Sequence, residues 1–139
     1  MLSSYKYLVA VILGWMVAQI IKIIIDFVRH KKMSLIESLF SSGGMPSSHS
    51  ALVVSVTTLI GMNEGFDSAI FGLAIAVSLV VIYDAMKVRH SVGEQAIALN
   101  KLVDKNSQLK IVKGHTLVEV IAGVILGIVV GVSVYLLTI

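Results

Sequence analysis

Four long apolar segments alternate with polar stretches along the chain. They cover residues 7–28, 47–62, 68–88 and 117–139. Because about 20 apolar residues in a helix cross the hydrocarbon core of a bilayer, each segment is a candidate transmembrane helix, although the second is short for a span. The pattern predicts an all-α, integral membrane helical bundle of about four transmembrane helices.

The polar connections predict smaller elements. Residues 29–45 contain a short re-entrant or interfacial helix at 34–40, followed by the turn-forming sequence Ser-Ser-Gly-Gly. Residues 89–115 contain a segment of helical spacing and mixed charge, 92–102, which predicts a short surface helix. Residues 64–67 form a tight connection. With no repeat and no soluble region, the whole chain is expected to be a single membrane-embedded domain.

Composition supports the membrane assignment and excludes other classes. Hydrophobic residues make up 57% of the chain and charged residues 14%, which is unlike both an ordinary soluble domain and a disordered one. The absence of cysteine excludes disulfides and thiol chemistry. Lys and Arg exceed Asp and Glu by only 11 to 8, so no nucleic-acid partner is expected. The first apolar segment is too long, and too interrupted by Lys22 and Asp26, for a signal peptide.

Ionisable residues inside apolar segments are costly and therefore point to function. In the first helix, Gln19, Lys22, Asp26 and Arg29 are spaced three, four and three residues apart, which places them on one face. A structural Lys22–Asp26 ion pair, with Arg29 reaching towards the interface, explains the same spacing equally well.

The loop before the second helix predicts an anion site. Residues 43–50 read Gly-Gly-Met-Pro-Ser-Ser-His-Ser. Pro46 suits a first helical position, serines cap free amides, and the resulting helix N-terminus attracts phosphate. Plain capping is the alternative, and His49, just inside the helix, is what favours a functional role.

In the fourth helix His115 and Glu119 lie one turn apart, so the carboxylate can orient the imidazole. Gly123, Gly127 and Gly131 continue the same face. This small-residue pattern allows a neighbouring helix to approach closely, which directs the face into the bundle or offers it to a homo-oligomer.

The third helix ends in a polar segment, residues 83–90, that includes Asp84 and Arg89; an interfacial belt is the alternative reading. In a four-helix bundle every polar cluster described above lies at one end. Ten of the eleven Lys and Arg residues lie there too, so this end, with loops 29–45 and 89–115, is expected to face the cytoplasm. Such a pocket suits metal-independent phosphoryl transfer, with one histidine attacking phosphorus and another protonating the leaving oxygen.

These residues resemble a known family. Lys22 with Arg29, then Pro-Ser-Ser-His at 46–49, then His115 with Glu119, are similar to the three-part signature of the type 2 phosphatidic acid phosphatases. That superfamily includes the vanadium haloperoxidases, and the chain looks most like its divergent branch, the acid phosphatase/vanadium-dependent haloperoxidase related proteins.

The resemblance implies a role for each matching residue. Phosphate would be bound by Lys22, Arg29, Ser47 and Ser48 together with nearby amides such as that of Gly44, and the catalytic group would comprise His49 as general acid, His115 as nucleophile and Glu119 as its orienting partner.

The chain also departs from the family pattern. The third motif normally opens with Ser-Arg, but Gln108 and Leu109 stand there, so one phosphate-binding cation is unassigned. Arg89 is the first candidate for that cation and Lys110 the second. The chain is also two helices short of the six-helix core.

The resulting expectation is a membrane phosphatase without a cofactor, in a bacterial plasma membrane, that hydrolyses a lipid phosphate or diphosphate through a phosphohistidine. The alternative is a non-catalytic lipid-phosphate binder, carrier or scaffold that retains the anion site. Asp26 and Asp84 are expected to support the site. A metal-assisted reaction, using these two with Glu94 and Glu119, has no recognisable ligand spacing.

Overall fold

The computed structural model describes residues 2–29, 43–104, 107–109 and 111–139. The described part is all-helical, which confirms the predicted fold class. Its helices are α1 (Leu2–Val28), α2 (Ser48–Glu64), α3 (Ala69–Tyr83), α4 (Arg89–Asn100) and α5 (Leu117–Thr138), and one π-helical turn (Asp84–Val88) joins α3 to α4. The helix expected at residues 34–40 lies outside the described residues.

Among the described residues, three helical stretches are long and apolar enough to cross a membrane. They are Tyr5–Val28, Ala69–Asn100 and Leu117–Thr138. The second predicted span is the short one, as its sequence indicates: α2 has 17 residues, or about 25 Å of helix against a hydrocarbon core of about 30 Å. The chain is an integral membrane protein built on these helices.

Helix α2 forms the centre of the bundle, because α1, α3 and α5 all pack against it. Small and hydroxylated residues on α2 make these close contacts possible. The Ser55 hydroxyl donates to the carbonyl of Ala10 in α1 at 2.8 Å, and the Thr57 and Ser78 hydroxyls lie 2.9 Å apart between α2 and α3. Such interhelical hydrogen bonds satisfy polar side chains inside a membrane protein.

The glycine face of α5 packs on α2 along a seam. A Cβ added to Gly123, Gly127 or Gly131 would lie 2.4, 2.8 or 2.5 Å from the carbonyl oxygens of Ser47, Ala51 and Ser55, respectively. Only glycine allows backbones this close. The face therefore points into the bundle, as predicted, and because α2 covers it, a homo-oligomer would have to use another surface.

The third helix does not stop where the sequence analysis places its end. Helix α3 continues through the π turn into α4, so the predicted surface helix at 92–102 is the end of one continuous helical stretch, Ala69–Asn100. No glycine or proline stands between residues 73 and 92 to break it. Turn-forming residues do end α2, where Gly65 adopts a positive φ of 94°.

Two side-chain pairs join α1 to α2 at the end of the bundle where α1 begins. Lys6 Nζ donates to Asn63 Oδ1, and the Tyr7 hydroxyl donates to the Glu64 carboxylate. We call these four residues the far end. They lie opposite the end at which α2 and α5 begin.

Candidate functional site

The start of α5 fixes the position of His115. Thr116 is the N-cap: its hydroxyl accepts from the Glu119 amide at 3.4 Å, while the Glu119 carboxylate accepts from the Thr116 amide at 2.9 Å. This reciprocal pair is a capping box. The same carboxylate oxygen, Oε2, lies 3.2 Å from His115 Nδ1. The predicted His115–Glu119 pair is therefore formed, and the cap orients it.

This pairing leaves His115 suited to act as a nucleophile. A carboxylate accepts hydrogen bonds, so Nδ1 carries the proton and the lone pair lies on Nε2. His115 precedes the α5 span. Burial, with Lys22 and Arg89 nearby, lowers its pKa below 6.5, and Glu119 only partly opposes that shift. The imidazole is consequently neutral at pH 7.

His49, in the first turn of α2, faces His115. The two ring centroids are 6.0 Å apart and the planes meet at 61°. Arg89 Nη2 lies 3.2 Å from His49 Nε2. Because a guanidinium only donates, Nε2 accepts and His49 is neutral, with its proton on Nδ1. That Nδ1 is buried and has no hydrogen-bond partner among the described residues.

The π turn positions Arg89. Its backbone N–H donates to the Asp84 carbonyl, the five-residue step of a π-helix, and Arg89 Nε lies 3.7 Å from the Asp84 carboxylate. In a regular α-helix, residues five apart point about 140° away from each other, so the wider turn is what aligns this pair. The site thus holds a cation, Arg89, that bridges Asp84 and His49.

The loop before α2 is fastened to α5 and lies over α1. The Ser47 amide donates to the Glu119 carbonyl at 2.9 Å, and the Ser47 hydroxyl caps α2 by accepting from the Ser50 amide at 3.3 Å. A Cβ on Gly44, which has a positive φ, would lie 2.9 Å from Lys22 Cε. Glycine at this position lets the Lys22 side chain pass under the loop towards the histidines.

The loop differs from its sequence interpretation in two ways. Pro46 precedes the N-cap and is not the first helical residue, which is Ser48. Ser47 is fully buried, and its hydroxyl oxygen is already used as the cap and as the acceptor for the Ser50 hydroxyl. Ser48 is 8% exposed.

The polar face of α1 is divided. Gln19, Lys22 and Asp26 are buried within the bundle, whereas Arg29 is exposed at the end of the helix. The described contacts bring Lys22 to the histidines but do not tie Arg29 to them. Lys110, the second candidate for the missing cation, lies outside the described residues.

Backbone contacts lock the remaining wall of the site. The His115 amide donates to the carbonyl of Ala85, inside the π turn, at 2.9 Å. A Cβ on Gly114 would lie 2.6 Å from the Met86 carbonyl oxygen. The segment before α5 therefore lies directly on the π turn, which holds Arg89 and His115 on adjoining surfaces.

The assembled site, which we call the histidine end, consists of Lys22, Gly44, His49, Asp84, Arg89, His115 and Glu119. Sequence reasoning places all seven at one end of the bundle, but it does not find the π turn or the Arg89–His49 contact. Among the described residues, no group of three or more His, Asp or Glu side chains is arranged to hold a metal ion. The residues of the histidine end are suited to bind an anion beside a neutral imidazole.

Comparison with known proteins finds a relative and a family. The chain is 35% identical over 130 residues to the Uncharacterized membrane protein YuiD of Bacillus subtilis (strain 168), an alignment that covers 80% of this chain and 82% of the relative. No solved structure matches the chain. The sequence pattern of the Divergent PAP2 family matches residues 3–130, which is nearly the whole chain. The chain therefore belongs to the Divergent PAP2 family.

Proposed function

We propose that the protein is a membrane phosphatase that hydrolyses a lipid phosphate or diphosphate through a phosphohistidine on His115. The observation that carries this proposal is the facing pair of histidines, with Glu119 orienting one ring and Arg89 contacting the other. A neutral imidazole with a free Nε2 lone pair is a nucleophile for phosphorus.

Binding of the substrate phosphate begins at the cations. Arg89 offers a planar set of N–H donors that matches phosphate oxygens, and Lys22 adds a second positive charge. The incoming phosphate competes with His49 Nε2 for Arg89. It also brings negative charge beside His49, which favours the protonated ring that a general acid needs.

The reaction then proceeds in two steps. In the first, His115 Nε2 forms a bond to phosphorus, the phosphorus–oxygen bond to the lipid breaks, and His49 gives its proton to the departing oxygen. In the second, water attacks the phosphohistidine, the phosphorus–nitrogen bond breaks, and His49 takes a proton from the water. Arg89 and Lys22 stabilise the charge on the phosphoryl oxygens throughout.

Orientation in the membrane is part of the same proposal. Apart from Lys22, Arg29 and Arg89, seven of the eleven Lys and Arg residues fall in sequence segments 29–45 and 87–115, and the eighth is Lys6, near the start of the chain. The positive-inside rule then directs the histidine end to the cytoplasm, and the Bacillus relative favours a bacterial plasma membrane.

The experiment is phosphate release from a panel of lipid phosphates and diphosphates by the purified protein in detergent, with an alkaline quench to trap the phosphoenzyme, because phosphohistidine is stable in base and hydrolyses in acid. We expect turnover and a phosphorylated His115 peptide in the wild type, and a loss of at least about 1,000-fold in His115→Ala. His90→Ala is the matched control, because His90 is exposed and contacts Glu94 instead.

Two results would contradict the proposal. One is turnover that survives in His115→Ala. The other is an absence of turnover on every substrate together with phosphate-lipid binding that survives in His115→Ala but is lost in Arg89→Ala, which is the behaviour of a non-catalytic lipid-phosphate binder.

A further inference from the structure

A long apolar groove runs along the bundle between α2, α3 and α5. Its volume is about 720 Å³. Helices α3 and α5 both pack on α2, and the groove is the cleft between them. Thr57 and Ser78, two of the hydroxylated residues in its wall, are hydrogen-bonded to each other, so these two hydroxyls do not require a polar group from a ligand.

The near end of the groove adjoins the histidine end. Val54, Ile82 and Val124 line it there, and each lies within about two helical turns of a site residue on the same helix. The anion site therefore lies next to one end of an apolar groove. That combination matches an amphiphile with a phosphate at one end and a hydrocarbon chain at the other.

The opposite end of the groove is bounded by two aromatic rings. Phe66 and Phe71 meet edge to face, with centroids 5.2 Å apart and planes at 86°. Both rings lie against Gly61 of α2, where a Cβ would come within 2.5 Å of Phe66 and 2.9 Å of Phe71. From Ile82 to Phe71 the groove follows α3 for about 16 Å.

We propose that this groove binds the hydrocarbon chain of the lipid phosphate whose head occupies the histidine end, and that the Phe66–Phe71 pair limits the chain length. The proposal rests on the proposed function for the identity of the head group. The substrate class is a phosphate ester that carries a long alkyl or acyl chain. The distance that this chain reaches along α3 decides which substrates are accepted.

The first test is a series of single-chain alkyl phosphates that differ only in length. We expect kcat/KM to rise by up to about fourfold for each added methylene, as expected for apolar burial, and to stop rising once the chain reaches the Phe pair. A kcat/KM that does not depend on chain length would overturn the proposal.

Two variants with opposite expected effects test the length limit. Phe71→Ala opens the end of the groove, so the plateau should move to longer chains. Ile75→Trp fills the middle of the groove from α3, so the plateau should move to shorter chains, with the shortest substrates still hydrolysed. Phe27→Ala is the control, because Phe27 is 82% exposed on α1 and does not line the groove. Plateaus that stay at the wild-type length in both variants would contradict the proposal.

A binding experiment separates failure of this inference from failure of the proposed catalysis. An alkyl phosphate carrying a photoreactive diazirine at the chain end should crosslink to the α2–α3 connection, whether or not the protein turns over. Arg89→Ala should weaken that labelling. Equal labelling by the matching alkyl alcohol, which lacks the phosphate, would show that the groove takes membrane hydrocarbon in general and would overturn the coupling between groove and site.

Discussion

The two ends of the bundle hold polar side chains in different ways. At the far end, Lys6 pairs with Asn63 and Tyr7 with Glu64, so donors meet acceptors across α1 and α2. At the histidine end, polar groups from four parts of the chain meet, and the described contacts leave ring nitrogens with unused bonding capacity. Both ends lie at the termini of the same central helix, α2.

The difference bears on the proposed function, because a polar residue that reacts with a substrate needs bonding capacity that the fold does not use. The far end has a cation and a carboxylate, yet their hydrogen bonds join α1 to α2. At the histidine end His115 retains a lone pair on Nε2, and His49 carries a buried proton on Nδ1. Unused bonding capacity next to positive charge, more than polarity alone, is what the proposed function requires of the histidine end.

Among variants that keep both histidines, the largest expected effect comes from the partner of the nucleophile. Glu119→Gln keeps an acceptor for the Thr116 amide but removes the charge that orients His115. We expect kcat to fall by about 100-fold or more, as for other carboxylates that hold a catalytic histidine. Phosphate release at saturating substrate measures this, with Glu94→Gln, an exposed carboxylate beside His90, as the control. A fall of less than about threefold would mean that His115 is not the reacting ring.

Removal of the bridging cation ranks next. Arg89→Ala should lower kcat by about 100-fold, the usual cost of losing one donor aimed at transition-state charge. Arg89→Lys should recover only part of it, because an ammonium lacks the planar fork. Lys87→Ala, on the exposed side of the same π turn, should match the wild type. Equal losses of kcat in the Lys87 and Arg89 variants would mean that Arg89 acts only through its positive charge and not through contact with the phosphate.

Acidification has a smaller, graded effect. His115 must be neutral to attack phosphorus, and its pKa lies below 6.5. On the acid side, the rate of phosphoenzyme formation should therefore begin to fall only below pH 6.5 and then fall about tenfold per pH unit. Glu119→Gln should move this fall in rate to still lower pH, since Glu119 raises the pKa of His115. A rate of phosphoenzyme formation that already falls on acidification above pH 6.5 would contradict this account.

The smallest effect is expected at the far end. Tyr7→Phe combined with Asn63→Ala removes both pairs between α1 and α2. At about 0.6 kcal/mol for each interhelical hydrogen bond in a membrane protein, thermal unfolding should show a loss of roughly 1 kcal/mol. Phosphate release should stay within about twofold of the wild type. A large loss of activity without unfolding would break the distinction between the two ends.

Much of this arrangement follows from sequence. Helix spans follow from apolar length, the Glu64 to Asp67 turn from its glycine, and the His115–Glu119 pair from one-turn spacing. The meeting of polar clusters at one end follows from the number of helices, because the end of one spanning helix and the start of the next lie on the same side of the membrane. These features depend on local spacing or on topology, which a single sequence shows directly.

Other features depend on geometry that hydropathy does not reveal. The π turn has no signature in the α-helical period, so the Asp84–Arg89 pair and the contact of Arg89 with His49 were not predictable from spacing. The start of α2 was also not predictable. The loop before it is held by the backbone bond from Ser47 to Glu119, which joins residues far apart in the sequence, and in that position Ser47 caps the helix and Pro46 precedes the cap. The groove beside α3 arises from how far two helices stand apart, and no residue type specifies that distance.

The α2–α5 seam has a repeating pattern that constrains the whole site. Glycines recur every four residues on α5, and the carbonyls that they meet recur every four residues on α2. A slide of about 6 Å, four residues of helix, would therefore present each glycine to the next carbonyl and preserve most of the packing. It would also carry His115 away from His49. The Ser47 to Glu119 backbone bond occurs in one register only, so this single bond at the top of the seam selects the alignment in which the two rings face each other.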